Sequence, residues 1–146
     1  MKLHFPVKRT GQPILTEGHP MVEYESRRIL LPFGHKLKAV RLIPGKTGIF
    51  KDYYAEPAPI DAPTDTEQPL ERKEADSIYK KNAYYPEVLF KAHSVQYKKG
   101  FVILPLEIYW QRYNPVKRRL KCFSEYDLII DTEPAEEERI KLRNIS

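Results

Sequence analysis

Residues 100–131 read GFVILPLEIYWQRYNPVKRRLKCFSEYDLIID, and the reading of this stretch decides the fold. It predicts two β-strands joined at Tyr113-Asn114-Pro115-Val116-Lys117. In the second arm Leu120, Cys122, Tyr126, Leu128 and Ile130 fall on one face, and Arg119, Lys121, Glu125 and Asp127 on the other. A period of two is what a half-buried strand needs, because successive side chains point to opposite faces.

The rest of the chain is punctuated in the same way. Val22–Leu31 reads as a strand ending at Pro32-Phe33-Gly34, and Leu37–Ile43 as another closed by Pro44-Gly45. Gly48–Tyr54 is a third candidate, and Glu87–Tyr97 a further one, with Val88, Phe90 and Ala92 alternating. Lys98-Lys99-Gly100 marks a turn. Thirteen prolines against six glycines imply many strand ends and turns, since proline is expelled from helix interiors and central strands. No helical period is sustained. The expected fold is all-β, an antiparallel β-sandwich or jelly roll.

Glu56–Pro86 breaks the pattern. It holds Pro57, Pro59, Pro63 and Pro69, many acids and few large apolar residues before Ile78. It reads as one long proline-rich loop, with a helical turn in Glu71–Asp76. Loops of this length inside a compact domain are functional or disordered. The segmentation expected is an irregular N-terminus at 1–17, a β-sandwich domain over 18–131 and a polar tail or linker at 132–146.

The 146 residues suit one domain with a real core. The net charge of +5 is spread in short clusters, among them Arg27-Arg28, Lys80-Lys81, Lys98-Lys99 and Lys117-Arg118-Arg119. These read as solvated strand edges and turn tips rather than as the basic stripe of a nucleic-acid binder. No nucleic-acid or membrane partner is expected: no run is long and apolar enough to span a bilayer. The N-terminus lacks the apolar core of a signal peptide.

Chemistry is sparse. His4, His19, His35 and His93 are scattered, with His19 and His35 beside turn residues and expected to face solvent. No metal, cofactor or catalytic constellation is expected, and the chain reads as a non-enzyme. The single cysteine, Cys122, cannot form an internal disulfide, and its place on the apolar face makes it a structural thiol. The tyrosine-heavy aromatic set suits a half-buried sheet or a protein interface.

Several short motifs occur in order: Gly18-His19-Pro20-Met21-Val22, Ala58-Pro59, Tyr85-Pro86, Gly100-Phe101-Val102-Ile103-Leu104-Pro105 and Arg112-Tyr113-Asn114-Pro115. Together, over residues 18–131, they resemble the propeptide of gingipain-type cysteine peptidases, family C25. Arg112 departs from the glutamine usual there. The resemblance implies a β-sandwich prodomain that assists folding of a cysteine peptidase catalytic domain, in cis or in trans, and keeps it latent. It also implies an extracellular or periplasmic setting, as part of a longer secreted precursor. In the gingipains a basic side chain on the loop after the Ala-Pro pair enters the specificity pocket. By loop position the candidates here are Arg72, Lys73, Lys80 and Lys81. The alternative is a β-sandwich interaction module that is not inhibitory, using a tyrosine-rich face.

Overall fold

The computed structural model of this chain describes residues 1–59 and 72–135. Within them lie ten strands and one short helix. The strands are β1 (Lys2–Pro6), β2 (Glu25–Leu31), β3 (His35–Pro44), β4 (Thr47–Phe50), β5 (Phe90–Ala92), β6 (Gln96–Lys98), β7 (Phe101–Ile108), β8 (Gln111–Asn114), β9 (Arg119–Phe123) and β10 (Glu125–Pro134). The helix is α1 (Asp76–Tyr79).

Three antiparallel sheets form, ordered β1-β10-β3, β2-β7-β5 with β6 also on β7, and β4-β9-β8. The first two pack face to face. β7 turns Val102, Leu104, Leu106 and Ile108 inward, and β10 turns Tyr126, Leu128 and Ile130 inward. Ile29 and Leu31 of β2, Leu42 of β3, Trp110 and Phe123 complete this core. Each large apolar side chain fully buried contributes roughly 1.5–3 kcal/mol. A second, smaller core of Val22, Ala55, Tyr113 and Leu120 lies against the β4-β9-β8 sheet. The all-β antiparallel sandwich is thus the observed architecture.

Each expected arm of the opening stretch is two strands. The first breaks at Tyr109-Trp110 and the second at Ser124. The reason is a bent ribbon: β3–β4 runs antiparallel to β9–β10, and both halves leave one sheet for another at the same level. At that corner the Gly45 N–H donates to the Glu125 carbonyl at 2.8 Å. A Cβ on Gly45 would lie 2.6 Å from Glu125 Cγ and 2.9 Å from Glu125 O, so the approach needs glycine. The hairpin itself stands where expected. Asn114 is buried, and its Oδ1 accepts from the Val116 and Lys117 N–H groups at 3.1 and 3.0 Å.

Four expectations are corrected. Residues 1–17 are not all irregular, because Lys2–Pro6 form β1 on β10. β10 continues past Asp131, with Thr132, Glu133 and Pro134 paired to Leu37, Lys36 and His35. Glu87–Tyr97 is two short strands, with Val88 and Ala92 exposed. Pro105 accounts for that gap. Its carbonyl accepts from the His93 N–H at 3.0 Å, and the N and O of one strand residue point to the same side. The missing donor of Pro105 therefore faces the segment separating β5 from β6. Finally, Arg27 is not a solvated edge. It points inward, its side chain 13% exposed, and ion-pairs with buried Glu25.

The proline-rich loop lies partly outside the described residues, which resume at Arg72. The helical turn expected in Glu71–Asp76 starts later, at Asp76. Among the described residues no helix is long and apolar enough to cross a membrane.

Candidate functional site

The two ends of the proline-rich loop meet at one turn. Gly18 donates its N–H to the Ala58 carbonyl at 3.1 Å, and the Ala58 N–H donates to the His19 carbonyl at 2.8 Å. The Met21 N–H reaches the Glu56 carbonyl at 2.9 Å, and the Ala75 N–H reaches the Gly18 carbonyl at 2.9 Å. The outgoing stem (Ala55–Pro59) and the returning stem (Arg72–Tyr79) are therefore both pinned to residues 18–21. Gly18 is in the left-handed region, with φ of 76°. A Cβ there would sit 3.0 Å from the Lys73 carbonyl oxygen and 3.2 Å from Ala75. The backbone angle and the crowding both demand glycine.

Tyrosines brace the stems. Tyr79 donates its hydroxyl to the Ala55 carbonyl at 2.6 Å, and Tyr54 donates to Glu74 at 2.7 Å. That bond, then burial, pushes the Tyr54 hydroxyl up to about 12. Buried Tyr113 donates to the Tyr53 carbonyl at 2.9 Å, and Tyr85 and Tyr113 exchange backbone hydrogen bonds of 2.8 Å each. Much of the tyrosine excess in the composition thus holds the loop's base. Phe50, Tyr53 and Tyr54 are nonetheless exposed beside it.

The four basic candidates differ in what they touch. Arg72 donates to the Pro57 carbonyl at 3.2 Å and lies 3.7 Å from Glu56. It ties the two stems together. Lys80 lies 3.3 Å from Asp76 one helical turn away. Lys81 lies 2.6 Å from Glu87, whose carboxyl it holds below the usual range. Lys73 is exposed and has no hydrogen-bond or ion-pair partner among the described residues. Residues 60–71 contain no lysine or arginine. Among the described residues, Lys73 is therefore the first cation after the loop without a partner.

Cys122 is half-buried, and burial pushes its thiol up to about 11, with Arg9 pulling weakly the other way. A thiol of that kind is protonated at neutral pH and a poor nucleophile. His19 and His35, expected to face solvent, are half-buried. His19 packs edge-on to Tyr85 with ring centroids 5.1 Å apart, and His35 Nδ1 lies 3.1 Å from Thr132 Oγ1. Each lies in a turn or strand end that is folded back onto the body rather than projecting from it. Among the described residues no group of His, Cys, Asp and Glu is arranged to hold a metal ion.

No protein-family model and no curated protein matches the chain. Solved structures do match, two of them from gingipains. The complex of Porphyromonas gingivalis RgpB pro- and mature domains superposes with a TM-score of 0.69 at 13% identity, over 92% of this chain and 82% of the matched chain. A structure describing the zymogenic latency of gingipain K from Porphyromonas gingivalis gives 0.60 at 16% identity, over 89% and 81%. At these identities the likeness is one of fold, and it extends over about nine-tenths of this chain and four-fifths of each matched chain.

Proposed function

We propose that this chain is a propeptide-like domain that docks on a C25-type cysteine peptidase, holds it latent and assists its folding, without catalytic activity of its own. The observation that carries this reading is the superposition over 92% of the chain on a complex of gingipain pro- and mature domains. High coverage of the matched chain as well fits a prodomain rather than a peptidase. The ordered motifs at Gly18, Ala58-Pro59, Tyr85-Pro86 and Asn114-Pro115 now have structural tasks, since they form the stems and corner of one loop base. The setting proposed is a secreted precursor, with the peptidase in cis or in trans.

Lys73 is the residue proposed to enter an acidic specificity pocket. A cation presented from stems fixed on both sides loses little freedom on docking. A desolvated lysine–carboxylate pair truncated on one side costs about 2–5 kcal/mol of affinity. The test is a titration of the cognate mature peptidase with this domain, read by hydrolysis of a short peptide substrate. Inhibition is expected below micromolar concentration, with Lys73→Ala weaker by about tenfold or more and Lys80→Ala and Lys81→Ala unchanged. No inhibition, with no rise in refolding yield of the peptidase, refutes the reading. Inhibition insensitive to Lys73→Ala removes Lys73 alone.

The exposed row of Phe50, Tyr53 and Tyr54 supports a second reading, a protein-interaction module that is not inhibitory. Binding of the peptidase without loss of its activity would select it.

A further inference from the structure

One face of the β4-β9-β8 sheet floors a cavity of about 350 Å³ that belongs to neither the loop base nor the proposed docking residues. Ile49, Leu89, Trp110 and Phe123 supply apolar walls, and Arg112 and Lys121 are the charged lining residues. No acid lines it. The volume is at the lower end of the range for small-molecule sites, roughly 300–1,000 Å³.

Its polar groups are unsatisfied in one sense only, as donors. Trp110 is 5% exposed, and its Nε1–H is buried without a hydrogen-bond partner. The Nε–H of Arg112 is buried and equally unpartnered. Arg112 and Lys121 lie directly opposite one another across the β8–β9 ladder, where like charges repel. Neither makes an ion pair among the described residues. Both instead lie over the Tyr84 ring, Arg112 at 5.6 Å and Lys121 at 4.2 Å from its centroid. Burial lowers the pKa of the Arg112 guanidinium, as expected where a cation is desolvated without an anion. The two hydroxyls in the lining already donate elsewhere, that of Tyr109 to Glu107 at 2.6 Å and that of Thr47 to the Gly45 carbonyl at 3.4 Å.

Two facing cations, two orphaned N–H donors and an apolar wall form one incomplete constellation. A carboxylate completes it: it is planar, matches the fork of a guanidinium and accepts several hydrogen bonds at once. We propose that this cavity binds a carboxylate joined to a small apolar group, either a free aliphatic acid or the C-terminal residue of a peptide. The carboxylate sits between Arg112 and Lys121, with Trp110 against the apolar part.

The chain has a single tryptophan, so its fluorescence reports from the cavity wall alone. The full chain is titrated with N-acetyl-leucine and with a tripeptide ending in a leucine carboxylate, each beside its C-terminal amide. The carboxylates are expected to shift the emission and saturate, with the amides binding about tenfold or more weakly. A tripeptide acid binding about tenfold tighter than N-acetyl-leucine identifies a peptide terminus as the source, and equal binding identifies the free acid. Arg112→Gln, checked for folding by circular dichroism, should erase the preference for acid over amide. No shift from either acid up to about 10 mM, or equal binding of acid and amide, overturns the proposal. That comparison uses the unaltered chain, so it stands whatever the variant does.

Discussion

Glu25 and Arg27 show how much one inward-facing ion pair governs locally. Glu25 is 0% exposed. Its carboxylate accepts from Arg27 Nη2 at 2.5 Å and from the Tyr126 hydroxyl at 3.0 Å, while Arg27 Nε donates to that hydroxyl at 2.7 Å. Phe5 covers the guanidinium at 4.0 Å. Burial, then Glu25, pushes the Tyr126 hydroxyl up, so it remains protonated and able to donate. Removing the cation strands a buried carboxylate, and Arg27→Ala should destabilise by about 3–5 kcal/mol. Replacing Glu25 and Arg27 together with leucine should cost much less, since no buried charge is then left alone. Urea denaturation of the two variants decides it, and an Arg27→Ala loss below about 1 kcal/mol would place the pair among ordinary surface bridges. This network was not legible in the sequence. Arg27-Arg28 reads as an exposed dipeptide, and only the parity of Ile29 and Leu31 places Arg27 inside. Cys122 was legible, because alternation put it on the apolar face. Its raised thiol predicts slow reaction with a disulfide reagent at neutral pH in the folded chain and fast reaction in urea. Equal rates in the two would refute burial as the protection.

Among the described elements, β1 is anchored in part by titrating groups. His4 and Asp127 are register partners, with Nδ1 2.7 Å from Oδ1, while Lys2 lies 3.7 Å from Asp127 and Glu125 lies 3.5 Å from His4. The hydrogen bond to Asp127 is the largest cause raising the His4 pKa, and the bond to His4 is the largest cause lowering that of Asp127. A raised histidine contributes stability that is complete below its unfolded value of about 6.5 and fades as pH rises through the folded value. A lowered aspartate contributes above about 3.9 and fades as pH falls through its own depressed value. Both act together between those limits. Hydrogen exchange of the β1 amides, corrected for intrinsic rate, should be slower near pH 5 than near about pH 8.5. His4→Gln should flatten that difference, and salt should reduce it because the pair is exposed. A β1 that exchanges alike at both pH values would exclude the pair as an anchor. The strands β7 and β10 were legible, since Leu104, Leu106, Leu128 and Ile130 alternate with half-buried neighbours over a long run. Their interruptions were not. A bend at Ser124 leaves no mark in a period-two pattern, and it becomes visible only when Gly45 is found pressed against Glu125.

At the scale of the whole molecule, the first and last described strands are neighbours, and the closing of the sandwich depends on both. β10 lies between β1 and β3. Its Ile130 N–H donates to the Met1 carbonyl at 2.8 Å, the Met1 amino group donates to the Ile130 carbonyl at 3.0 Å, and the Ala135 N–H donates to Gly34 at 2.7 Å. The motifs that mark the propeptide resemblance span only residues 18–131, because turns and stems carry recognisable glycines and prolines. The edge strand Lys2–Pro6 carries only the proline that ends it, and a short mixed segment there reads as irregular. The loop base was half legible for the same reason. Gly18 and Ala58-Pro59 stood out as motifs, but the contacts of Arg72 with Glu56 and Pro57 reach across the loop, while those of Lys80 and Lys81 are local and Lys73 has no partner among the described residues. A chain cut to residues 18–131 should therefore behave worse than its motif content suggests. It loses the β1 ladder, uncovers the side chains behind Leu3 and Phe5, which pack on the main core, and turns β10 into an open edge. It also loses the pairing of Thr132–Pro134 with His35–Leu37. The lost backbone hydrogen bonds alone, at about 1 kcal/mol each, approach the ~5–15 kcal/mol by which domains are stable. An exposed edge flanked by apolar residues also pairs with other copies. Thermal unfolding and light scattering of the 18–131 chain against the full chain are expected to show a lower midpoint and concentration-dependent association. A monomeric 18–131 chain melting with the full chain would show that the motif-bearing span closes its own sandwich and that β1 is an accessory to it.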